Sequence, residues 1–347
     1  MSSSKSFPYV RLGNSGLKVS KIILGTMSFG SKQWQGWVLE EEEALKLVKA
    51  AYDAGINAFD TANAYSNGKS EIVLGKAIKK FDLPRDEIVI LTKVFFAVGK
   101  SVNERFIPAD EADAKGYVNQ HGLSRKHIFD SVKKSLQRLQ LDYVDVLQCH
   151  RFDNNTPIEE TMQALHDVVK AGYARYIGMS SCHAWQFQAM QNYAINNNLT
   201  PFISMQNHYN LVYREEEREM FPTLKHLGVG SIPWSPLARG LLTRPLNQSK
   251  STLRGNVDRM IKGYHAGEST ERVIEVVESI AKKRQVSMAQ VALAWVIAQP
   301  GVTAPVVGTT SLENLHELLG AVNLKLTNEE IEELSLPYKP QNIIGHS

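Results

Sequence analysis

Eight short apolar runs recur along the chain, most of them closed by polar residues. They are "KIILGT" (Lys21–Thr26), "NAFDTA" (Asn57–Ala62), "EIVILTK" (Glu87–Lys93) and "VDVLQCH" (Val144–His150), then "RYIGMSS" (Arg175–Ser181), "FISMQNH" (Phe202–His208), "GSIPWSP" (Gly230–Pro236) and "APVVG" (Ala304–Gly308). The runs are continuous rather than alternating, as expected of strands covered on both faces of a parallel sheet. Helical stripes lie between them. Ala44, Leu47, Val48 and Ala51 share one face of a helix over Glu41–Ala54, with Gly55 as its stop. Ile128, Val132, Leu136 and Leu139 do the same over Ser124–Gln140. Thr156, Pro157, Ile158 and Glu159 read as a capping box with proline at the first helical position, opening a helix that stops near Gly172.

Eight strands alternating with helices fit a (β/α)₈ barrel, an α/β fold, over residues 1–347 as a single domain. A doubly wound dinucleotide fold would carry G-x-G-x-x-G after its first strand, whereas this strand ends "GTMSFG". Gly13 to Lys18 lacks the G-K-[ST] ending of a phosphate loop and precedes the first strand, so it reads as the tip of an N-terminal β-hairpin. Two intervals are long for a compact domain: Phe95–Gly122 after strand three, and Thr243–Gly267 after strand seven. Loops of that length usually act as lids or binding loops, and in a barrel both fall on the C-terminal face, where active sites lie.

Composition narrows the class. The chain has 347 residues, 43% of them apolar and 22% charged, so a packed core is expected and disorder is not. The formal net charge is +3, and the short basic runs Lys76–Lys80 and Lys282–Arg284 read as solvated helix faces, not nucleic-acid contacts. No segment has the apolar length of a membrane span, and the N-terminus has no apolar leader. The two cysteines, Cys149 and Cys182, read as small buried hydrophobes in a reducing compartment, with the cytoplasm as the expected location.

With the barrel assumed, the strand-final polar residues converge on one face: Asp60, Lys93, His150, Ser180, Ser181, Gln206 and Trp234, with Tyr65 at the start of the loop after strand two. Asp60 and Lys93 sit on neighbouring strands and can pair, so Asp60 would orient Lys93. A lysine cation beside a phenol favours the phenolate, which makes Tyr65 a candidate general acid tuned toward neutrality. His150 could hydrogen-bond the oxygen that gains charge when a hydride reaches a carbonyl carbon. Lys93 could instead form a Schiff base, as strand-end lysines do in barrel aldolases, although Trp234, Gln206 and the serine pair would then lack a role. No metal signature such as H-E-x-x-H is present. Asp142 and Asp145 open strand four at the opposite face, where helix capping is the expected job.

The chain resembles the aldo-keto reductase family. The resemblance rests on "FDTANAYSNGKSE", "LTKVF", "SLQRLQLDYVDVLQCHRFD", "GYARYIGMSS" and "WSPLARGLLT", in order and at barrel spacing. It is nearest the branch of fungal aryl-alcohol dehydrogenases and potassium-channel β-subunits. It implies a catalytic tetrad of Asp60, Tyr65, Lys93 and His150, with Tyr65 as proton donor, and NADP(H) favoured over NAD(H) in extended form without a Rossmann fold. Gly25, Thr26, Met27 and Asp60 would approach the nicotinamide ribose. Ser180, Ser181 and Gln206 would hold the carboxamide, and Trp234 would stack on the ring. Ser235, Pro236, Leu237, Arg239, Gly240 and Leu241 would follow the pyrophosphate, with Gly308, Thr309, Thr310, Asn314 and Glu317 at the adenosine. Many relatives place Lys or Arg in that last segment to meet the 2′-phosphate; Thr310, Ser311 and Asn314 are neutral, which leaves Arg244 or Arg254 to substitute.

The implied activity is reversible reduction of an aldehyde or ketone, the partner being a small carbonyl or alcohol. A nucleotide-sensing regulatory subunit is the alternative. Phe29, Trp34, Phe95 and Phe106, with the segment after Leu336, are the candidate pocket wall.

Overall fold

All eight apolar runs form strands of one sheet. The computed structural model describes residues 7–248, 252–265 and 267–346. A hairpin of β1 (Tyr9–Arg11) and β2 (Lys18–Ser20) leads into β3 (Ile23–Gly25), followed by α1 (Glu41–Asp53), β4 (Ala58–Asp60), α2 (Lys69–Lys80) and β5 (Val89–Val94). After α3 (Ala109–Ala112) and α4 (Arg125–Leu139) come β6 (Val144–Cys149), α5 (Ile158–Lys170), β7 (Ala174–Ser180), α6 (Ala184–Asn196) and β8 (Phe202–Gln206). Then come α7 (Met220–Leu227), β9 (Gly230–Ser231), α8 (Leu253–Val257), α9 (Arg259–His265), α10 (Thr270–Arg284) and α11 (Met288–Ala298). β10 (Val306–Val307), α12 (Leu312–Ala321) and α13 (Asn328–Ser335) complete the order.

The strands run parallel in the order β10-β3-β4-β5-β6-β7-β8-β9. Hydrogen bonds from Thr303 N to Ser231 O and from Val306 N to Pro233 O, each 2.8 Å, join the two ends of the sheet. This is the expected (β/α)₈ barrel.

The continuous apolar runs have a simple cause. Successive side chains alternate between faces, and both faces here are dry. Ile23, Ala58, Leu91, Val146, Ile232 and Val306 pack together in the barrel interior. Their neighbours Leu24, Phe59, Ile90 and Leu147 pack outward with the stripes of α1 and α4. The hairpin belongs to the interior layer, because fully buried Leu12 joins it and plugs the N-terminal end. At the hairpin tip Gly13 has φ +58°, and a Cβ there would lie 2.6 Å from both Gly228 O and Gly230 N. The tip is therefore a packing device and not a phosphate loop.

Two expectations need correction. Pro157, not Thr156, is the N-cap of α5; Thr156 Oγ1 donates instead to Asp153 Oδ2 at 2.7 Å, so no capping box forms. Asp145 lies on the stability face but caps no helix. It accepts from Arg85 Nη2 at 2.7 Å and Ile90 N at 2.8 Å, tying two strands at the barrel floor. The two long connections carry short helices, and both contribute residues to the cavity at the barrel mouth. The first holds α3 and its own small core of Ala97, Ile107, Ala112 and Tyr117. The described part of the second folds as α8 and α9, with the Thr252 hydroxyl capping Gly255 N. Lys250, in this second connection, lies outside the described residues.

Candidate active site at the C-terminal mouth of the barrel

The interior face turns polar one step above its apolar layer. Two residues beyond inward Ala58, Leu91 and Val146 stand Asp60, Lys93 and Gln148, the same face by the period of two. Lys93 is fully buried, and all three of its ammonium donors are engaged. They reach Asp60 Oδ1 at 2.5 Å, Thr61 O at 2.9 Å and Tyr65 Oη at 3.2 Å. Burial acts to lower the Lys93 pKa, but Asp60 and Tyr65 outweigh it, and the net direction is upward. The second Asp60 oxygen accepts from Gln148 Nε2 at 2.9 Å and Gln206 Nε2 at 2.8 Å. Gln148 was not anticipated, yet its position two residues before His150 was a signal that it shares the inward face.

Tyr65 begins a tight turn, Tyr65–Gly68, in which Ser66 and Asn67 both adopt left-handed backbone. Asn67 fastens the loop after β5: its Nδ2 donates to Ser101 O at 2.8 Å and Glu104 O at 2.7 Å, and its Oδ1 accepts from Gly99 N at 2.9 Å. That fastening sets Phe106 edge-on to Tyr65, with ring centroids 6.4 Å apart, and to Trp34 at 5.3 Å. His150 stands edge-on to Tyr65 at 5.7 Å and to Phe96 at 5.0 Å. Burial, then the cations of Lys93 and Arg151, depress the His150 pKa well below the ordinary imidazole value. It is therefore neutral, and its buried Nδ1 has no partner among the described residues.

These groups open on a cavity of about 820 Å³. Gly25, Met27, Asp60, Tyr65 and His150 line it, as do Ser180, Gln206 and Trp234. Its wall continues through Ser235, Pro236, Leu237, Arg239 and Gly240 to Gly308, Thr309, Thr310, Asn314 and Glu317. Four anticipated contact residues are not in the wall. Lys93 stands behind Tyr65, and Thr26 bonds through Oγ1 to Asp60 O at 3.1 Å. Leu241 packs into the core of α10 and α11. Ser181 acts through its neighbour, accepting from Trp234 Nε1 at 2.9 Å.

The aromatic assignments also shift. Phe29 and Phe95 belong to the hydrophobic core, whereas Phe96 and Trp37, which were not anticipated, face the cavity with Phe106. Trp34 is buried behind Phe106. Of the C-terminal segment, Gly345 reaches the wall.

The residues fit an extended nicotinamide dinucleotide. One face of Trp234 is covered by the His208 ring, 4.0 Å away and nearly parallel, and Tyr213 backs His208 at 4.1 Å. The indole is thus braced in a cavity wall of the kind a flat ring can stack on. Beyond it, Ala238, Arg239 and Gly240 have φ of 46°, 58° and 99° after right-handed Leu237. Ala238 N and Gly240 N donate within the turn, to Ser235 O and Leu237 O at 2.9 Å each, which fixes the turn whose Arg239 and Gly240 line the cavity. At the far end a Cβ on Gly308 would meet nothing within 4 Å, so the wall there is open. Arg254, one of the two anticipated substitutes for a 2′-phosphate partner, is held by Asp258 at 3.1 Å and lies over Trp37, 4.1 Å from its ring centre. Arg244 also lines the cavity.

Among the described residues no helix is long and apolar enough to cross a membrane. The family model described as "Aldo/keto reductase family" matches residues 21–336. The chain is 51% identical over 339 residues to versiconal hemiacetal acetate reductase of Aspergillus parasiticus, covering 96% of this chain and 98% of that one. It is 50% identical to a candidate aryl-alcohol dehydrogenase of Schizosaccharomyces pombe, covering 99% of each. An aldo-keto reductase of Fusarium vanettenii is 47% identical, over 98% of this chain and 93% of its own. Family, barrel and site geometry agree: the chain belongs to the aldo/keto reductase family and is an oxidoreductase acting on carbonyl and alcohol groups.

Proposed function

We propose that the enzyme reduces aldehydes or ketones, and oxidises the alcohols in reverse, with Tyr65 as the general acid and NADP(H) as the favoured cofactor. The observation that carries this reading is the buried relay Asp60–Lys93–Tyr65, which ends at a cavity beside neutral His150. A nicotinamide, when bound, supplies the hydride. Tyr65 gives its proton to the carbonyl oxygen, and the Lys93 ammonium at 3.2 Å stabilises the phenolate left behind. Asp60 holds that ammonium in place, while Gln148 and Gln206 satisfy its other oxygen. His150, kept neutral, offers an N–H donor without adding a second charge to the site.

A Schiff-base role for Lys93 is disfavoured, because its three donors are occupied and its pKa is raised, which keeps the amine protonated. Braced Trp234 and the left-handed turn at Ala238–Gly240 support a dinucleotide along the cavity. The Gly308–Glu317 end brings no cation of its own, so Arg244 is the residue assigned to the 2′-phosphate. The cytosol suits an enzyme whose two cysteines are unbridged and buried. The test is a fluorescence titration with NADPH and NADH, followed by a panel of aldehydes including 4-nitrobenzaldehyde. Failure to bind either nucleotide, or binding without turnover of any aldehyde, would refute the reading.

A further inference from the structure

Arg151 follows His150 at the end of β6 and lines the same cavity as Tyr65 and His150. It is half-buried, and its one hydrogen bond among the described residues runs from Nη1 to the preceding carbonyl, His150 O, at 2.5 Å. The guanidinium carbon lies 5.9 Å from the centre of the Phe96 ring. No described carboxylate lies within 4.0 Å of it.

Five other guanidiniums withdrawn from solvent have carboxylate partners. Arg85 has Asp145 at 2.7 Å, Arg138 has Glu71 at 2.6 Å and Arg214 has Glu217 at 2.8 Å. Arg239 and Arg254 share Asp258 at 2.6 and 3.1 Å. A guanidinium carries five N–H donors in a planar fork that matches a carboxylate, and withdrawing it from water without a counter-charge is unfavourable. Burial accordingly pulls the Arg151 pKa down to about 10, which leaves it a cation at neutral pH.

Resting on the reductase reading above, we propose that Arg151 is a specificity-determining residue that binds an anionic group carried by the carbonyl substrate, a carboxylate in the simplest case. The preferred substrate class is then an aromatic aldehyde or ketone with a carboxylate on the ring. Phe96 and Phe106 line the same cavity and offer walls for the ring, and Arg151 takes the charge. The pyrophosphate is assigned to the Ser235–Gly240 wall, which stands on a different loop.

The test compares 3- and 4-carboxybenzaldehyde with 3- and 4-nitrobenzaldehyde, the nitro group being a neutral isostere of carboxylate. The wild-type enzyme is expected to show higher kcat/KM for the carboxylated partner in at least one pair. Arg151→Gln should lower that value by about 10–100-fold, the range of a hydrogen bond to a charged group, mainly through KM. Turnover of the nitrobenzaldehydes should stay within a few-fold, and Arg151→Lys should recover part of the loss.

A wild-type preference for the nitro compound in both pairs would overturn the proposal while leaving the reductase reading intact. An equal loss on both compounds in Arg151→Gln would overturn it also, as would a matching loss of NADPH affinity, which would give the cation to the cofactor. If Arg151→Gln does not fold, the wild-type preference and Arg151→Lys decide. No turnover of any aldehyde removes both readings.

Discussion

Lys93 Nζ and Asp60 Oδ1 lie 2.5 Å apart with neither side chain open to solvent, so the cation beside Tyr65 is itself held by a buried counter-charge. Each partner is tolerable inside the barrel only because of the other. Removing one partner of a buried ion pair typically lowers stability by about 3–5 kcal/mol, because the remaining charge is uncompensated. Asp60→Ala should therefore lower the urea midpoint strongly as well as abolish turnover. The double variant Asp60→Ala/Lys93→Met should recover much of the stability and none of the activity. If the double variant is no more stable than the single one, the pair is not the source of the loss.

Tyr65→Phe should separate chemistry from binding. The phenol oxygen contacts Lys93 Nζ, and the rest of the ring packs against Phe106 and His150. Loss of general acid catalysis should reduce kcat by about 10²–10⁴-fold. Affinity for NADPH, read by fluorescence titration, should be unchanged. Parental turnover of 4-nitrobenzaldehyde in this variant would remove Tyr65 from the mechanism.

Cofactor choice should respond to Arg244, a cation in the cavity wall. Arg244→Ala should weaken NADPH binding by about tenfold or more, as expected for a charge-assisted contact with phosphate, and leave NADH binding nearly unchanged. Equal effects on the two nucleotides would assign the 2′-phosphate elsewhere.

The loop that carries Phe106 should depend on Asn67. Its side chain makes the bonds to Gly99, Ser101 and Glu104 from a left-handed backbone, φ 50°. Asn67→Gly keeps that backbone without strain and deletes only the side-chain bonds. Proteolysis between Phe95 and Gly122 should accelerate, and KM for aromatic aldehydes should rise while that for short aliphatic ones changes little. A uniform loss of kcat across substrates would place the effect on Tyr65 and its turn instead.

Stability should fall on the acid side because of buried histidines with depressed pKa, His127 and, more strongly, His150 and His208. His150 is depressed by burial and by Lys93 and Arg151; His208, stacked between Trp234 and Tyr213, is depressed by burial and then by Arg239. In each case the folded pKa lies below the unfolded value near 6.5. The unfolded chain thus binds more protons below pH 6.5, and stability is lost as the pH falls through that value toward the folded pKa. The loss should be about 1 kcal/mol per histidine over the first unit below 6.5, measured as urea midpoints at pH 7.5 and 5.5. His208→Phe should flatten the dependence; an unchanged slope would exclude His208.

Much of the barrel was legible in the chain because its signal is local. A strand buried on both faces must be apolar at every position, and a helix packed on such a sheet must carry a stripe, so runs and stripes alternate whatever the loops do. The places of Asp60, Lys93 and His150 were legible for the same reason, since a polar residue closing such a run stands at the barrel mouth. Other features depended on contacts between distant segments. Phe95 and Phe96 are neighbours of one residue type, and only the path of the chain turned one into the core and the other toward the cavity. Asp145 could have capped a helix until Arg85, 60 residues earlier, was seen beside it. The solitude of Arg151 is likewise invisible in "HRFD", because whether a charge has a partner depends on every other chain segment that reaches it. Periodicity along the chain determined which residues face inward; tertiary packing alone decided which of them meet, because pairing acts through space and leaves no trace in local spacing.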